Sequence, residues 1–296
     1  MKPTLTDNQL TATAYGVSAV LLWSTVATGF KLGLAELQIE QLLFLGTCIS
    51  WFFFGVLLLI RGQFSIERRD RVLAPLLGII NPVGYYLILF SAYDLLPAHI
   101  AQPLNYTWAI TLAILSVTIL KEPLALRAII GIAVSYVGVV FLILSSSLNS
   151  SQGADGAGVM LALSSTILWA LYWLINKKSQ SDPLSMIFTS FSTAVPILFM
   201  ICLCGPGLPE LSQSAVFYGL WIGLIEMGVT YLLWQKALRS SSNTAKTGQL
   251  IFLSPFLSLV FIHFFLDEQI TLLVIASLVI IVLGTWITQR ADPEKL

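Results

Sequence analysis

One carboxylate stands at the centre of an apolar stretch long enough to cross a bilayer. Residues 215–238 are almost wholly hydrophobic and hold Glu226 near their midpoint. A charge at mid-membrane costs on the order of 2.5–3.5 kcal/mol on insertion scales. A carboxylate placed there has three uses: to meet a cationic group, to carry a proton, or to serve as a protonated hydrogen-bonding link between helices. Gly219, Gly223, Glu226 and Thr230 are spaced four, three and four apart, which in a regular helix stacks them on one face. Gly219 and Gly223 also form a Gly-x-x-x-Gly pair, a surface that another helix can approach closely. The pattern predicts that Glu226 faces protein or a cavity, away from lipid.

Other apolar stretches also break their hydrophobicity at mid-depth. Asn81-Pro82 is followed one turn on by Tyr85, and Gln102, Asn105, Tyr106 and Trp108 share the next stretch. Ser165, Trp169 and Trp173 stack on one face with Asn176 beyond, and a later stretch holds Gln249 and Ser254-Pro255. A proline in a spanning helix frees a carbonyl that neighbours, water or a ligand must satisfy. Trp23, Trp108 and Trp169 lie deep enough to line a pocket, whereas Trp221 and Trp234 read as interfacial anchors. Gln102 and Asn105 suit either inter-helix hydrogen bonds or ligand contacts. Gly131, Ser135 and Gly138 read as packing residues, and Lys31 as a side chain that snorkels to the outer interface. His263 and Asp267, four apart at the outer end of a stretch with Glu268 adjacent, form the one constellation with an enzyme-like look, and no third metal ligand is evident from the sequence. The sequence has no His-Glu-x-x-His, Gly-x-Ser-x-Gly or Walker motif, which excludes an energy-coupling ATPase on this chain. No cofactor is implied, and Cys48, Cys202 and Cys204, all within apolar stretches, suggest neither a metal centre nor a disulfide framework.

The elements that must position these residues follow from composition. The chain is 57% hydrophobic and only 10% charged, with a mean hydropathy of +0.87, where globular domains run nearer a quarter charged. Apolar runs at 12–31, 41–60, 72–93, 97–119, 127–146, 157–176, 184–204, 215–238, 244–265 and 270–289 predict an all-α integral membrane protein of ten transmembrane helices. Sliding the chain on itself by 146 residues sets Trp23 on Trp169, Lys31 on Lys177, Tyr85 on Tyr231, Glu122 on Glu268 and Gly138 on Gly284. One offset across five helices indicates an internal repeat, residues 1–150 and 151–296. Five spans per copy is an odd number, so the second copy enters the membrane inverted, the plan of many secondary transporters. The same shift sets Pro82 on Gly228, a weak helix point at one depth in both copies. With the N-terminus inside, every Lys and Arg except Lys31 falls on inner segments, which predicts cytoplasmic N- and C-termini. The partners expected are the lipid bilayer and a small-molecule substrate; nothing calls for nucleic acid, and a single chain is the working unit. The membrane expected is the plasma membrane, the inner membrane of a bacterium.

The chain resembles the EamA-type transporters of the drug/metabolite transporter superfamily. The residues that carry the resemblance are Leu22-Trp23 with Lys31, Glu122, Trp234 with Ala237-Leu238, and Leu250, Ser254-Pro255 and Glu268. Within that family, Asn105-Tyr106-Thr107-Trp108 is similar to the Asn-Tyr-x-Trp run of the aromatic amino-acid exporter branch, although Ala109 and Tyr86 replace that branch's usual proline and histidine. The resemblance implies a cavity lined by Trp108 and a substrate among amino acids and related metabolites. The reading is a secondary transporter for an amino acid or related amine, with Glu226 at the substrate's ammonium group or carrying the coupling proton. An exporter of organic cations is the alternative within transport; a membrane-embedded enzyme built on His263, Asp267 and Glu268 is the alternative outside it.

Overall fold

The computed structural model describes residues 5–119, 126–149, 155–176, 179–240, 247 and 249–289. Glu122, Lys177, Lys178 and the side chain of Gln249 lie outside the described residues. Each of the ten apolar runs contains helix among the described residues, and no strand occurs there. Among the described residues, seven helical stretches are long and apolar enough to cross a membrane: Leu10–Glu36, Ile39–Arg61, Asp70–Leu95, Leu126–Ser145, Gly156–Asn176, Pro183–Cys204 and Gln213–Trp234. Leu250–Leu266 and Leu272–Thr288 are apolar but shorter.

In chain order the elements are α1 (Leu5–Ser24), α2 (Val26–Glu36), α3 (Ile39–Arg61), α4 (Asp70–Gly78), α5 (Tyr85–Leu95), α6 (Ala98–Tyr106), α7 (Trp108–Ile119), α8 (Leu126–Asn149), α9 (Gly156–Asn176) and α10 (Pro183–Cys204). They continue as α11 (Gln213–Leu220), α12 (Thr230–Ser240), α13 (Ser254–Leu266) and α14 (Leu272–Gln289). Local chemistry sets several ends. Asp182 accepts a hydrogen bond from the Ser185 amide ahead of a proline at the first turn of α10, and Ser212 does the same for Ala215 at α11. Gly62, at φ 65°, closes α3 in the left-handed conformation that glycine adopts without penalty.

Among the described residues five spans are interrupted; the break at Thr25 between α1 and α2 has no counterpart in the unbroken α9, and the other four correspond between the two halves. A wide π turn, Ile79–Gly84, joins α4 to α5, and at Asn81 (φ −147°, ψ 119°) the backbone leaves the helix. Its counterpart under the 146-residue shift falls within a second π segment, Trp221–Val229, between α11 and α12. The break at Thr107 between α6 and α7 corresponds to Leu253, where a 3₁₀ turn, Gln249–Leu253, passes into α13. The packing obeys the same relation. Helix α3 lies on α10 and α8 on α14, each its own counterpart; α1 on α12 mirrors α5 on α9; α6 meets α13.

The α8–α14 crossing is a close approach between the halves. A Cβ on Gly131 would sit 2.6 Å from the Gly284 carbonyl, and one on Gly284 would sit 2.5 Å from the Gly131 carbonyl. The Ser135 hydroxyl donates across the same crossing to Ile281 O at 3.0 Å. With backbone on both sides neither partner can yield, so Gly284→Ala should destabilise the protein by about 1–3 kcal/mol, as overpacking does. Thermal unfolding in detergent checks this. Gly156→Ala, with open space at its Cβ, should leave the midpoint unchanged, and equal midpoints for the two variants would show that the crossing tolerates a methyl group.

Candidate functional site

Glu226 sits inside the second π segment, and that turn decides where it points. In an unbroken α-helix it would share a face with Gly219 and Gly223. Here the face against α3 runs Gly219, Gly223 and then Gly228. Gly219 meets Leu45, Gly223 meets the Gly46 carbonyl and Ile49, and Gly228 meets Phe53. Five residues separate the last two glycines, the spacing of a π turn. The expected single face of Gly219, Gly223, Glu226 and Thr230 is therefore not formed: the extra residue rotates Glu226 off the glycine face. The Ser50 hydroxyl, reaching from α3, donates to the Gly223 carbonyl at 2.8 Å and satisfies it.

Rotated away from α3, Glu226 meets the other half of the molecule. The Tyr86 hydroxyl donates to Glu226 Oε1 at 2.8 Å, and the Trp23 side chain is a second polar neighbour. Glu226 and Trp23 are both half-buried, while Tyr86 is buried. Tyr86 entered the sequence argument only as a departure from the family's pattern. Its tyrosine type and its place one residue after Tyr85 were the available signal, but nothing in the sequence paired it with Glu226, 140 residues away.

From Tyr86 an aromatic wall runs through α5, α7 and α9. Tyr85 packs on Tyr86 with ring centroids 4.7 Å apart and on Trp169 at 4.6 Å. Trp169 meets Trp108 edge-on at 6.3 Å and Trp173 at 5.9 Å, and Trp173 stacks on Tyr231 at 6.0 Å. The Tyr85 hydroxyl donates to Asn105 Oδ1 at 3.3 Å, and Asn105 Nδ2 donates to the Ser165 hydroxyl at 3.1 Å. Asn105 thus spends its amide on inter-helix hydrogen bonds. Tyr106 faces Gln102 on its own helix and Ser254 at the start of α13. The buried Oδ1 of Asn81 has no protein partner among the described residues. Groups of this kind are satisfied by water or a ligand.

Of the predicted site residues, Glu226, Trp23, Tyr85, Trp108, Trp169 and Asn105 come together in this way, and Gln102 and Tyr106 adjoin Ser254. Asn81 is placed in the π turn between α4 and α5. Trp234 is not placed as an isolated anchor: its ring lies 5.7 Å from that of Trp23. Trp221 likewise turns onto α2, where a Cβ on Gly29 would lie 2.8 Å from its Cδ1. Each aromatic ring finds an apolar helix face before it finds the interface. Lys31, expected to snorkel, instead donates from Nζ to the Tyr93 carbonyl.

The enzyme-like constellation does not converge. His263 Nδ1 meets the main-chain carbonyl of Glu268 at 3.0 Å. The Glu268 carboxylate turns away, accepting from the amides of Ala98 at 2.8 Å and His99 at 2.9 Å and pairing with His99 Nδ1. Among the described residues, no group of three His, Cys, Asp or Glu side chains is placed to hold a metal ion.

An all-helical membrane bundle, interrupted at corresponding points of two halves and carrying a carboxylate against an aromatic wall, has the architecture of a transporter. The chain belongs to the EamA-like transporter family, which matches residues 10–144 and again residues 156–290, two matches 146 residues apart. It is thus an EamA-type member of the drug/metabolite transporter superfamily. It is similar to a probable amino-acid metabolite efflux pump of Salmonella typhimurium, 27% identical over 76% of this chain and 79% of that one. It is also similar to the aromatic amino acid exporter YddG of Ancylobacter novellus, 25% identical over 83% of this chain and 86% of the relative. A solved crystal structure shares the fold with a TM-score of 0.67 at 19% identity, covering 95% of this chain and 97% of that one.

Proposed function

We propose that this transporter is a secondary carrier that moves an amino acid or related amine by alternating access, with the substrate held between Glu226 and the aromatic wall. The observation that supports this most is the placement of Glu226: a lone carboxylate at mid-span, half-buried, with Tyr86 as its hydrogen-bond donor and the Tyr85, Trp169 and Trp108 rings beyond. A carboxylate attracts an ammonium group, and aromatic faces accept both cations and flat side chains. In this reading the chain makes ten spans as two inverted five-helix repeats, 1–150 and 151–296, and works as a single chain. The broken stretch 98–119 and the shorter Leu250–Leu266 and Leu272–Thr288 also cross, in keeping with the interrupted helices of such carriers. The split of Lys and Arg supports cytoplasmic N- and C-termini, with the chain in a bacterial inner membrane in this reading. Interrupted helices at matching depths give each half a weak point next to the substrate.

The same carboxylate and rings support a second reading, an exporter of organic cations that lack a carboxylate. Counterflow separates the two. Proteoliposomes preloaded with unlabelled compound should take up labelled amino acid faster than empty ones for at least one member of an amino-acid and amine panel. Acceleration by quaternary amines alone would favour the cation exporter, and no acceleration by any compound would overturn both.

A further inference from the structure

The α6 N-terminus has no cap of its own. Pro97 precedes it and supplies no side-chain hydrogen bond. The first-turn amides of Ile100 and Ala101 go to the Pro97 carbonyl at 3.0 Å each. That leaves the two leading amides, Ala98 and His99, and Glu268 accepts from both while also pairing with the His99 ring. Glu268 lies in the link between α13 and α14, in the other half of the molecule. One carboxylate therefore staples a helix start of the first repeat to a helix link of the second. A helix N-terminus favours such a charge electrostatically, and both side chains are only 15% exposed.

Neighbouring elements converge on the same point. Lys31 on α2 faces Glu268 and Asp94 and bonds the Tyr93 carbonyl at the end of α5. A Cβ on Gly158, at the start of α9, would lie 2.6 Å from Leu96 Cγ, so α9 closes on the α5–α6 link. Burial opposes the Glu268 charge, but hydrogen bonds from the His99 ring and from the His99 and Ala98 amides outweigh it and hold the acid below its ordinary range. Its contribution is thus present at neutral pH and lost only as pH falls through that lowered value.

We propose that Glu268 is the latch of the outer gate: its cap on α6 holds the outer mouth shut, and the mouth opens when the cap is released. The inference rests on the alternating-access reading above. Under the 146-residue shift Glu122 coincides with Glu268, and Thr244-Ala245 with Ala98-His99. Glu122 is therefore the matching acid for a control.

Cysteine accessibility tests this. In a background with Cys48, Cys202 and Cys204 replaced by Ser, Ser165→Cys reports on the buried wall of the site. Glu268→Gln should raise its labelling from outside by a membrane-impermeant methanethiosulfonate about tenfold or more, the effect of losing a charge-assisted hydrogen bond. Glu122→Gln should not raise it. An unchanged rate in Glu268→Gln, or an equal rise in Glu122→Gln, would overturn the latch. Should Glu268→Gln fail to fold, the double variant Ala98→Cys/Glu268→Cys tests the same point. Joining its thiols with a short bis-methanethiosulfonate should stop transport, and reductant should restore it; transport that persists when crosslinked would sink the proposal. Labelling needs no substrate. A protein that labels as expected yet moves nothing in the panel would overturn the functional reading and leave the latch standing.

Discussion

Glu226→Gln should fold normally and lose most of its transport. The amide keeps an oxygen that accepts from the Tyr86 hydroxyl, now at 2.8 Å, so the local hydrogen bond survives while the charge is gone. If the carboxylate meets the substrate's ammonium, the comparison is with removing one partner of a buried charged pair, about 2–5 kcal/mol. That is roughly a 30-fold or larger rise in the apparent dissociation constant, with any proton dependence unchanged. If Glu226 carries the coupling proton, pH-driven accumulation disappears while substrate-for-substrate exchange persists, because the amide mimics the protonated acid. Glu226→Leu adds a third comparison. It leaves the buried Tyr86 hydroxyl without a partner, a loss of about 1–3 kcal/mol, readable as a lower unfolding midpoint in detergent. A silent Glu226→Gln with a destabilised Glu226→Leu would make the residue an inter-helix link, and the functional reading would fall with it.

The repeat and the helices were legible because their signals are local and periodic. Apolar runs of spanning length specify helices whatever surrounds them, and a constant offset survives without knowledge of any contact. The positions of the interruptions were legible as well: Asn81-Pro82, Gly228 and Ser254-Pro255 all lie within or beside the observed breaks. The form of the break was not. A π turn adds one residue to a helix, and that shift moved Glu226 from the Gly219–Gly223 face to one pointing at Tyr86. No residue type encodes such a turn; Gly223 and Gly228 tolerate it, and the Ser50 hydroxyl on another helix stabilises it.

Long-range pairing was the other blind spot. Trp221 and Trp234 carry the composition of interfacial anchors, yet each finds a helix face on α1 or α2. Glu268 stood out in the sequence beside His263 and Asp267, five and one residues away. Its carboxylate instead serves His99 and Ala98, about 170 positions back. The reason is electrostatic. Two unpaired amides at a helix start are a better partner for a carboxylate than an adjacent acid and a ring that can reach only its carbonyl.

Trp169→Ala should weaken substrate binding more than the same change at any other aromatic residue of the wall, because its ring joins the two arms of the site. It touches Tyr85 at 4.6 Å, Tyr172 and Trp173 at 5.9 Å and Trp108 at 6.3 Å. Stacking of a ring on a base is worth ~1–3 kcal/mol on alanine substitution, which corresponds to about a 5- to 150-fold rise in the dissociation constant. Part of the loss will be structural, since a fully buried Trp costs ~3–5 kcal/mol when truncated. Trp169 is only half-buried, so the loss of stability should fall below that range. Trp169→Phe separates the two contributions: it keeps an aromatic face toward Tyr85 and should recover most of the binding. Trp108→Ala should give a smaller binding defect, since Trp108 meets Trp169 by an edge and lies at the end of the row. If Trp169→Ala binds and transports as the wild type does while its unfolding midpoint drops, the rings are packing. Glu226 would then have to find its ligand on the Trp23–Trp234 side.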